Sequence, residues 1–142
     1  MPRILNILIV EDDKSRVDRL TEWIPADMRI VWARSGGAAL GVLKRARMND
    51  YAGILLDHDL QGNARTEEDC ALDGRDIVDE IIRRLSRDPL IMVHSMNPQH
   101  APQMVTRLDD AGFSVSRMPF AVMTQETFVA WCDEVRDNSD TE

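Results

Sequence analysis

The acids Glu11, Asp12 and Asp13 close an apolar run from Ile4 to Val10, and a second apolar run, from Ala52 to Leu56, closes on Asp57. Carboxylates gathered in one place cannot all stay ionised unless a cation neutralises them. If the two runs are neighbouring strands, the acids converge. A hard divalent ion with oxygen ligands then satisfies them, and Mg²⁺ in such a site keeps waters and takes a phosphate as well. Taken singly, Asp12 and Asp13 read as readily as solvated helix caps. Their combination with Asp57 is what points to a metal. A third run, Leu90 to Val93, closes on His94, with Ser95 next. A histidine beside carboxylates is a structural residue, a metal ligand or a general acid/base, and the place of His94 next to Asp57 favours the last two. His58 and Asp59 follow Asp57 directly. Strand alternation puts Asp57 and Asp59 on one side and His58 on the other, so His58 is as readily structural as catalytic. His100, on the polar side of a helix, reads as solvated.

The elements that must position these groups alternate regularly. The runs ending at Val10 and Leu56 are almost continuously apolar, as strands buried on both faces are. Val17, Leu20 and Ile24 form a helical stripe ended by Pro25. Met28 to Ala33 is a second strand, and Ser35 caps a helix carrying Leu40 and Leu43. After Asp57 comes a long polar stretch, His58 to Leu72. Asp73 then caps a helix with Ile77, Val78, Ile81, Ile82 and Leu85 on one face. Pro89 opens the fourth strand. Asn97-Pro98 reads as N-cap and first position of a helix with Ala101, Met104, Val105 and Leu108 inward. Gly112 stops it. Phe113 to Ser116 is a short fifth strand, and Thr124 caps a last helix bearing Phe128, Trp131, Cys132 and Val135. Such alternation predicts a parallel sheet covered by helices on both faces with right-handed crossovers. In an open sheet of this kind ligands bind beyond the carboxyl ends of the strands, where Glu11, Asp12, Asp57, Asp59, His94 and Ser95 fall.

The bulk properties narrow the partners. A chain of 142 residues suits one domain, expected over 1–137 with a frayed polar tail over 138–142. A net charge of −8 argues against duplex DNA, which needs a basic patch. No apolar run approaches the ~20 residues of a membrane helix, and the N-terminus has no signal-peptide pattern. Cys70 and Cys132 stand far apart in no metal-like spacing and read as unrelated reduced thiols, so a cytoplasmic location is expected. Trp23, Trp32 and Trp131 fit packing better than a base-stacking platform.

Ile7-Leu8-Ile9-Val10-Glu11-Asp12-Asp13 resembles the start of a two-component receiver domain. Ile54-Leu55-Leu56-Asp57 resembles the segment ending in its phosphoacceptor aspartate, Asp73-Gly74 the pair after the acceptor loop, and Met118-Pro119-Phe120 the Lys-Pro-Phe after strand five. The resemblance covers nearly the whole chain. It implies a flavodoxin-like (βα)5 doubly wound parallel sheet in strand order 2-1-3-4-5. It makes Glu11 and Asp12 the metal-binding acids and Asp57 the acceptor or a further ligand, for Mg²⁺ or Mn²⁺. The departures are specific. Met118 stands at the lysine position, and the neighbouring Arg117 should face the other way by strand alternation. His94 stands at the switch Thr/Ser position, and the loop from His58 to Leu72 is longer than a receiver's. Asp57-His58-Asp59-Leu60, His94-Ser95-Met96-Asn97 and that loop resemble a divergent group, the cyclic-phosphate-processing receiver domains. The resemblance implies catalytic roles for His94, Asp57, His58 and Asp59, phosphate binding at Ser95 and Asn97, and a phosphate-containing small molecule or RNA end as partner. Three functions stand at this point: a metal-dependent phosphoesterase, a signalling receiver phosphorylated on Asp57, and an inactive module that binds a partner protein. Met118 counts against the second, and the ionisable groups His94 and Asp59 count against the third.

Overall fold

The computed structural model describes residues 3–47, 50–63 and 66–140. Strands β1 (Leu5–Val10), β2 (Met28–Ala33), β3 (Gly53–Leu56), β4 (Leu90–Val93) and β5 (Val115–Arg117) form one parallel sheet in the order β2-β1-β3-β4-β5. This is the expected flavodoxin-like order. Helices α1 (Lys14–Trp23), α2 (Gly36–Arg45), α4 (Gly74–Arg84), α5 (Ala101–Asp110) and α6 (Gln125–Asp140) connect and cover the strands, and a one-turn α3 (Glu67–Cys70) lies in the long loop. The caps read from sequence are formed: Asp13 accepts from the Ser15 and Arg16 amides, Ser35 from Ala38, and Asp73 with Asp76 makes a reciprocal capping box.

Strand pleating sorts the side chains into two cores. Leu8, Val10, Ile54, Leu56, Ile91 and Val93 face α2, α4 and α5, meeting Leu43, Ile77, Ile81 and Met104. Ile7, Ile9, Leu55 and Met92 face α1 and α6, meeting Val17, Leu20, Phe128 and Trp131. Among the described residues no helix is long and apolar enough to cross a membrane.

Two local expectations are revised. Asn97 caps a turn, accepting from the Gln99 and His100 amides at 3.0 and 2.9 Å, and α5 proper starts at Ala101. The polar tail does not fray at Asp137. Helix α6 runs to Asp140, because Ser139 continues its buried stripe and Asn138 donates to the Asp88 carbonyl at 2.8 Å. The loop from His58 to Leu72 is tied down. Leu60 is fully buried in the core, the Gly62 amide donates to Asp12 at 2.8 Å, and Asp69 accepts from the Gly37 amide at the start of α2 at 2.7 Å. Ala64 and Arg65 of that loop lie outside the described residues.

Candidate functional site

The register decides which groups meet. Val10 pairs with Leu56, and Leu56 with Val93, so Glu11, Asp57 and His94 each stand one residue past the last paired position of three adjacent strands. By alternation all three continue the row of Ile9, Leu55 and Met92, on the side of α1 and α6. Glu11 and His94 are fully buried, Asp57 nearly so, and ligand atoms from the three lie within 4.8 Å of one another. Backbone bonds hold each strand end: the Glu11 amide donates to Ala33, Asp57 to Val10, and His94 to Leu56. The Trp32 indole donates to the Glu11 carbonyl at 2.7 Å.

Arg16, in the first turn of α1, reaches into this cluster. Its Nη1 lies 3.1 Å from Glu11 Oε1 and 3.6 Å from Asp57 Oδ2, and its guanidinium sits 5.6 Å from the centre of the Phe120 ring. Burial alone would raise the Glu11 carboxyl, but contacts with His94 and Asp57 and the Arg16 charge hold it down, to about 2. Asp57 moves the other way. Burial first, then the facing Glu11, push it up to about 8. One carboxylate of the pair keeps its charge and the other keeps a proton. His94 is the unfinished member: both ring nitrogens are buried without a hydrogen-bond partner, with Nε2 lying 3.5 Å from Glu11 Oε1. A buried polar group left so is costly.

The remaining expected residues lie along the same sheet edge. Asp12 adjoins Glu11: burial first, then the Glu11 carboxylate, push the Asp12 carboxyl up, while the Gly62 amide donates to it at 2.8 Å. Asp59 turns away from Asp57, because the chain bends after β3 as the Gly74 amide donates to the His58 carbonyl. Its exposed carboxylate meets His58 Nδ1 at 2.8 Å instead. His58 is buried on the α4–α5 side with its Nε2 3.4 Å from the capping carboxylate of Asp73. His100, expected to be solvated, stacks on the His58 ring with centroids 4.4 Å apart. Ser95 is fully buried, its hydroxyl accepting from the Asn97 amide at 3.0 Å, and the Asn97 side-chain amide is 3.4 Å from His58 Nδ1. The site residues thus form two groups, Glu11–Asp57–His94–Arg16 with Asp12 beside Glu11, and His58–Asp59–Asn97–His100. Met118 packs against the α1–α6 core, and Arg117 is exposed. Arg16 went unread in the sequence, although it carries a signal. It is a cation in the first turn of a helix, where the dipole favours acids.

A parallel sheet in this order, with buried acids at the ends of β1 and β3, defines a receiver-type domain. The chain belongs to the family of the cyclic-phosphate processing receiver domain, whose profile matches residues 7–110. Similar solved structures agree on the fold. The signal receiver domain of an HD domain-containing protein from Pseudomonas fluorescens Pf-5 superposes with a TM-score of 0.71 at 14% identity, covering 99% of this chain and 100% of that one. The response regulator domain of Thermotoga maritima CheB gives 0.66 at 15% identity, with 99% of each chain covered. A CheY-like receiver domain protein from Methanospirillum hungatei JF-1 gives 0.68 at 12% identity, covering 98% and 99%. No curated protein sequence matches the chain.

Proposed function

We propose that this chain opens a cyclic phosphate, or a related phosphoester, at the Glu11–Asp57–His94 pocket with the help of Mg²⁺ or Mn²⁺. The observation that carries this reading is His94, an imidazole wholly buried beside the Glu11 and Asp57 carboxylates, with neither ring nitrogen in a well-formed hydrogen bond and Nε2 3.5 Å from Glu11 Oε1. A structural histidine would have them bonded. The family name points to the same substrate class.

The donor set fits a divalent ion. Two buried carboxylates and an imidazole nitrogen lie within one small sphere, and Glu11 and Asp57 supply the oxygens that Mg²⁺ or Mn²⁺ takes. Such an ion, held by Glu11 and Asp57, would neutralise the carboxylates and supply Lewis-acid polarisation of a phosphate oxygen. His94 stands beside them, placed to move a proton. As a neutral base it takes one from the attacking water. As an imidazolium it gives one to the ribose oxygen that leaves when the ring P–O bond breaks. Either role is worth ~10²–10⁴-fold in rate. His58 belongs to the other group, where Asp59 and Asp73 orient it and His100 backs it.

The test is hydrolysis of a 2′,3′-cyclic nucleotide by purified protein with Mg²⁺ or Mn²⁺. His94→Ala should keep the fold and lose activity by about 10²-fold or more, with His58→Ala milder. Intact substrate in the wild-type reaction, or normal turnover by His94→Ala, removes the enzymatic reading. Phosphorylation on Asp57 is the second reading, favoured by the place of that residue at the end of β3. Stable, stoichiometric aspartyl phosphate from acetyl phosphate would establish it. The burial of Asp57 and the apolar Met118 at the lysine position predict poor labelling.

A further inference from the structure

We propose that Arg16 is the phosphate-binding cation of this pocket. In the metal-free chain its guanidinium rests on Glu11 and Asp57, and on metal binding it yields those carboxylates and turns to the phosphoryl oxygens of the substrate. The proposal deepens the reading above and rests on it for the identity of the metal-binding carboxylates.

Four observations lead here. First, Arg16 Nη1 contacts the same two carboxylates that a divalent ion would use, at 3.1 and 3.6 Å. Guanidinium and ion cannot both take these oxygens at contact distance, so the two compete. Second, the Arg16 side chain is 24% exposed, whereas those of Glu11 and Asp57 are 0% and 4% exposed. Arg16 is therefore the part of the cluster that meets an arriving ligand. Third, its backbone is fixed and its side chain is long. The Arg16 amide donates to the cap Asp13, and the guanidinium already lies over the Phe120 ring, a contact that does not depend on the carboxylates. Arg16 can leave the carboxylates without leaving the site. Fourth, the charges demand a cation. With a divalent ion on Glu11 and Asp57 the charges of these two carboxylates cancel, and Arg16, whose Nε also lies 3.9 Å from the exposed Asp13 carboxylate, supplies the positive charge that a phosphate needs. Met118 supplies no charge, and among the described residues Arg16 is the cationic side chain in ion-pair contact with Glu11 and Asp57. The planar fork of arginine matches two phosphate oxygens at once.

This placement also accounts for an oddity of the sequence. A cation at the third position of a helix opposes the helix dipole, and a helix built for stability alone would carry an acid there.

Calorimetry on the full chain tests the proposal with two probes, Mn²⁺ alone and inorganic phosphate at saturating Mn²⁺. Arg16→Gln should bind Mn²⁺ at least as tightly as wild type, because the competing charge is gone. It should bind phosphate weaker by roughly tenfold or more, the loss of a charge-assisted contact. Arg16→Lys should lie between the two for phosphate, since it keeps the charge and loses the fork. Should Arg16→Gln not fold, by circular dichroism, Arg16→Lys decides: wild-type phosphate affinity in that variant overturns the proposal. Unchanged phosphate affinity in folded Arg16→Gln overturns it too, as does weakened Mn²⁺ binding in that variant, or no Mn²⁺ binding in wild type. Hydrolysis is read separately. A chain that binds phosphate through Arg16 but leaves cyclic phosphates intact loses the proposed reaction and keeps this role. Normal hydrolysis by Arg16→Gln does the reverse.

Discussion

At the scale of single residues, two carboxylates buried side by side set the chemistry of the pocket. Asp57 is the one pushed up, to about 8, by burial and then by Glu11. An acid whose pKa rises on folding stabilises the fold fully below its unfolded value and loses that contribution as pH climbs through its folded value. Metal-free protein in EDTA should therefore melt lower at pH 8 than at pH 5. Asp57→Asn keeps the oxygen that accepts from the His58 amide and cannot ionise. It should flatten this dependence and be the more stable protein at pH 8 by on the order of 1 kcal/mol, the worth of one pKa unit. Calorimetric melting of both proteins across that range checks it, and equal slopes would show that the pair is not strained. The legibility of these residues follows from where they stand. Glu11, Asp57 and His94 each end an apolar run, and period-2 alternation carried past the last strand residue predicts that they meet. Asp59 resisted reading because its partner, the His58 ring, depends on how the long loop folds back. His100 touches a ring distant in sequence, His58, and no local pattern announces such a contact.

At the scale of elements, the site depends on how closely α4 approaches the end of β3. A Cβ on Gly74 would lie 2.4 Å from the Asp57 carbonyl oxygen and 2.8 Å from the His58 Cα, both backbone atoms. No side-chain movement relieves such a clash, so the helix or the strand end must shift. Gly74→Ala should cost about 1–3 kcal/mol, the usual range for overpacking. It should also weaken Mn²⁺ binding, since Asp57 moves with its carbonyl. Urea unfolding with and without Mn²⁺ separates the two effects, and a loss under 0.5 kcal/mol would mean that α4 slides freely. The Asp73-Gly74 pair was visible in the sequence as a helix start, and Asp73 does cap α4. That Gly74 is required by a neighbouring strand rather than by its own turn is a tertiary fact. The same distinction explains Asn97, whose capping side chain was legible while the point where α5 begins was not. Apolar periodicity located all five strands, because a parallel sheet buried on both faces leaves few polar positions to blur the signal.

At the scale of the whole molecule, the sheet separates two cores, and each cysteine reports a different region. Cys70 lies exposed on α3 in the long loop. Cys132 is fully buried under α6, against the sheet face that carries the site. Burial pushes the Cys132 thiol up to about 12, so little of the nucleophilic thiolate exists near neutral pH. Reagent also cannot reach the sulfur unless α6 leaves the sheet. That helix buries Phe128, Trp131 and Val135 alongside Cys132, and Arg136 clamps it to Asp27 with two hydrogen bonds of 2.6 and 2.8 Å. Undocking α6 would expose a large share of the second core, so it should not occur short of cooperative unfolding. Native protein at pH 8 should therefore consume one equivalent of a disulfide reagent promptly. The second thiol should react more slowly by about 10³-fold or more, in keeping with the stability of an ordinary domain. In urea, the amplitude of that second reaction should rise along the same curve as the loss of helical circular dichroism. With the proposed Mn²⁺ site at the strand ends, which come together in the folded chain, the ion should shift both curves together. If Cys132 reacts well before the helical signal falls, α6 opens as a separate unit, and the two faces of the sheet do not unfold as one.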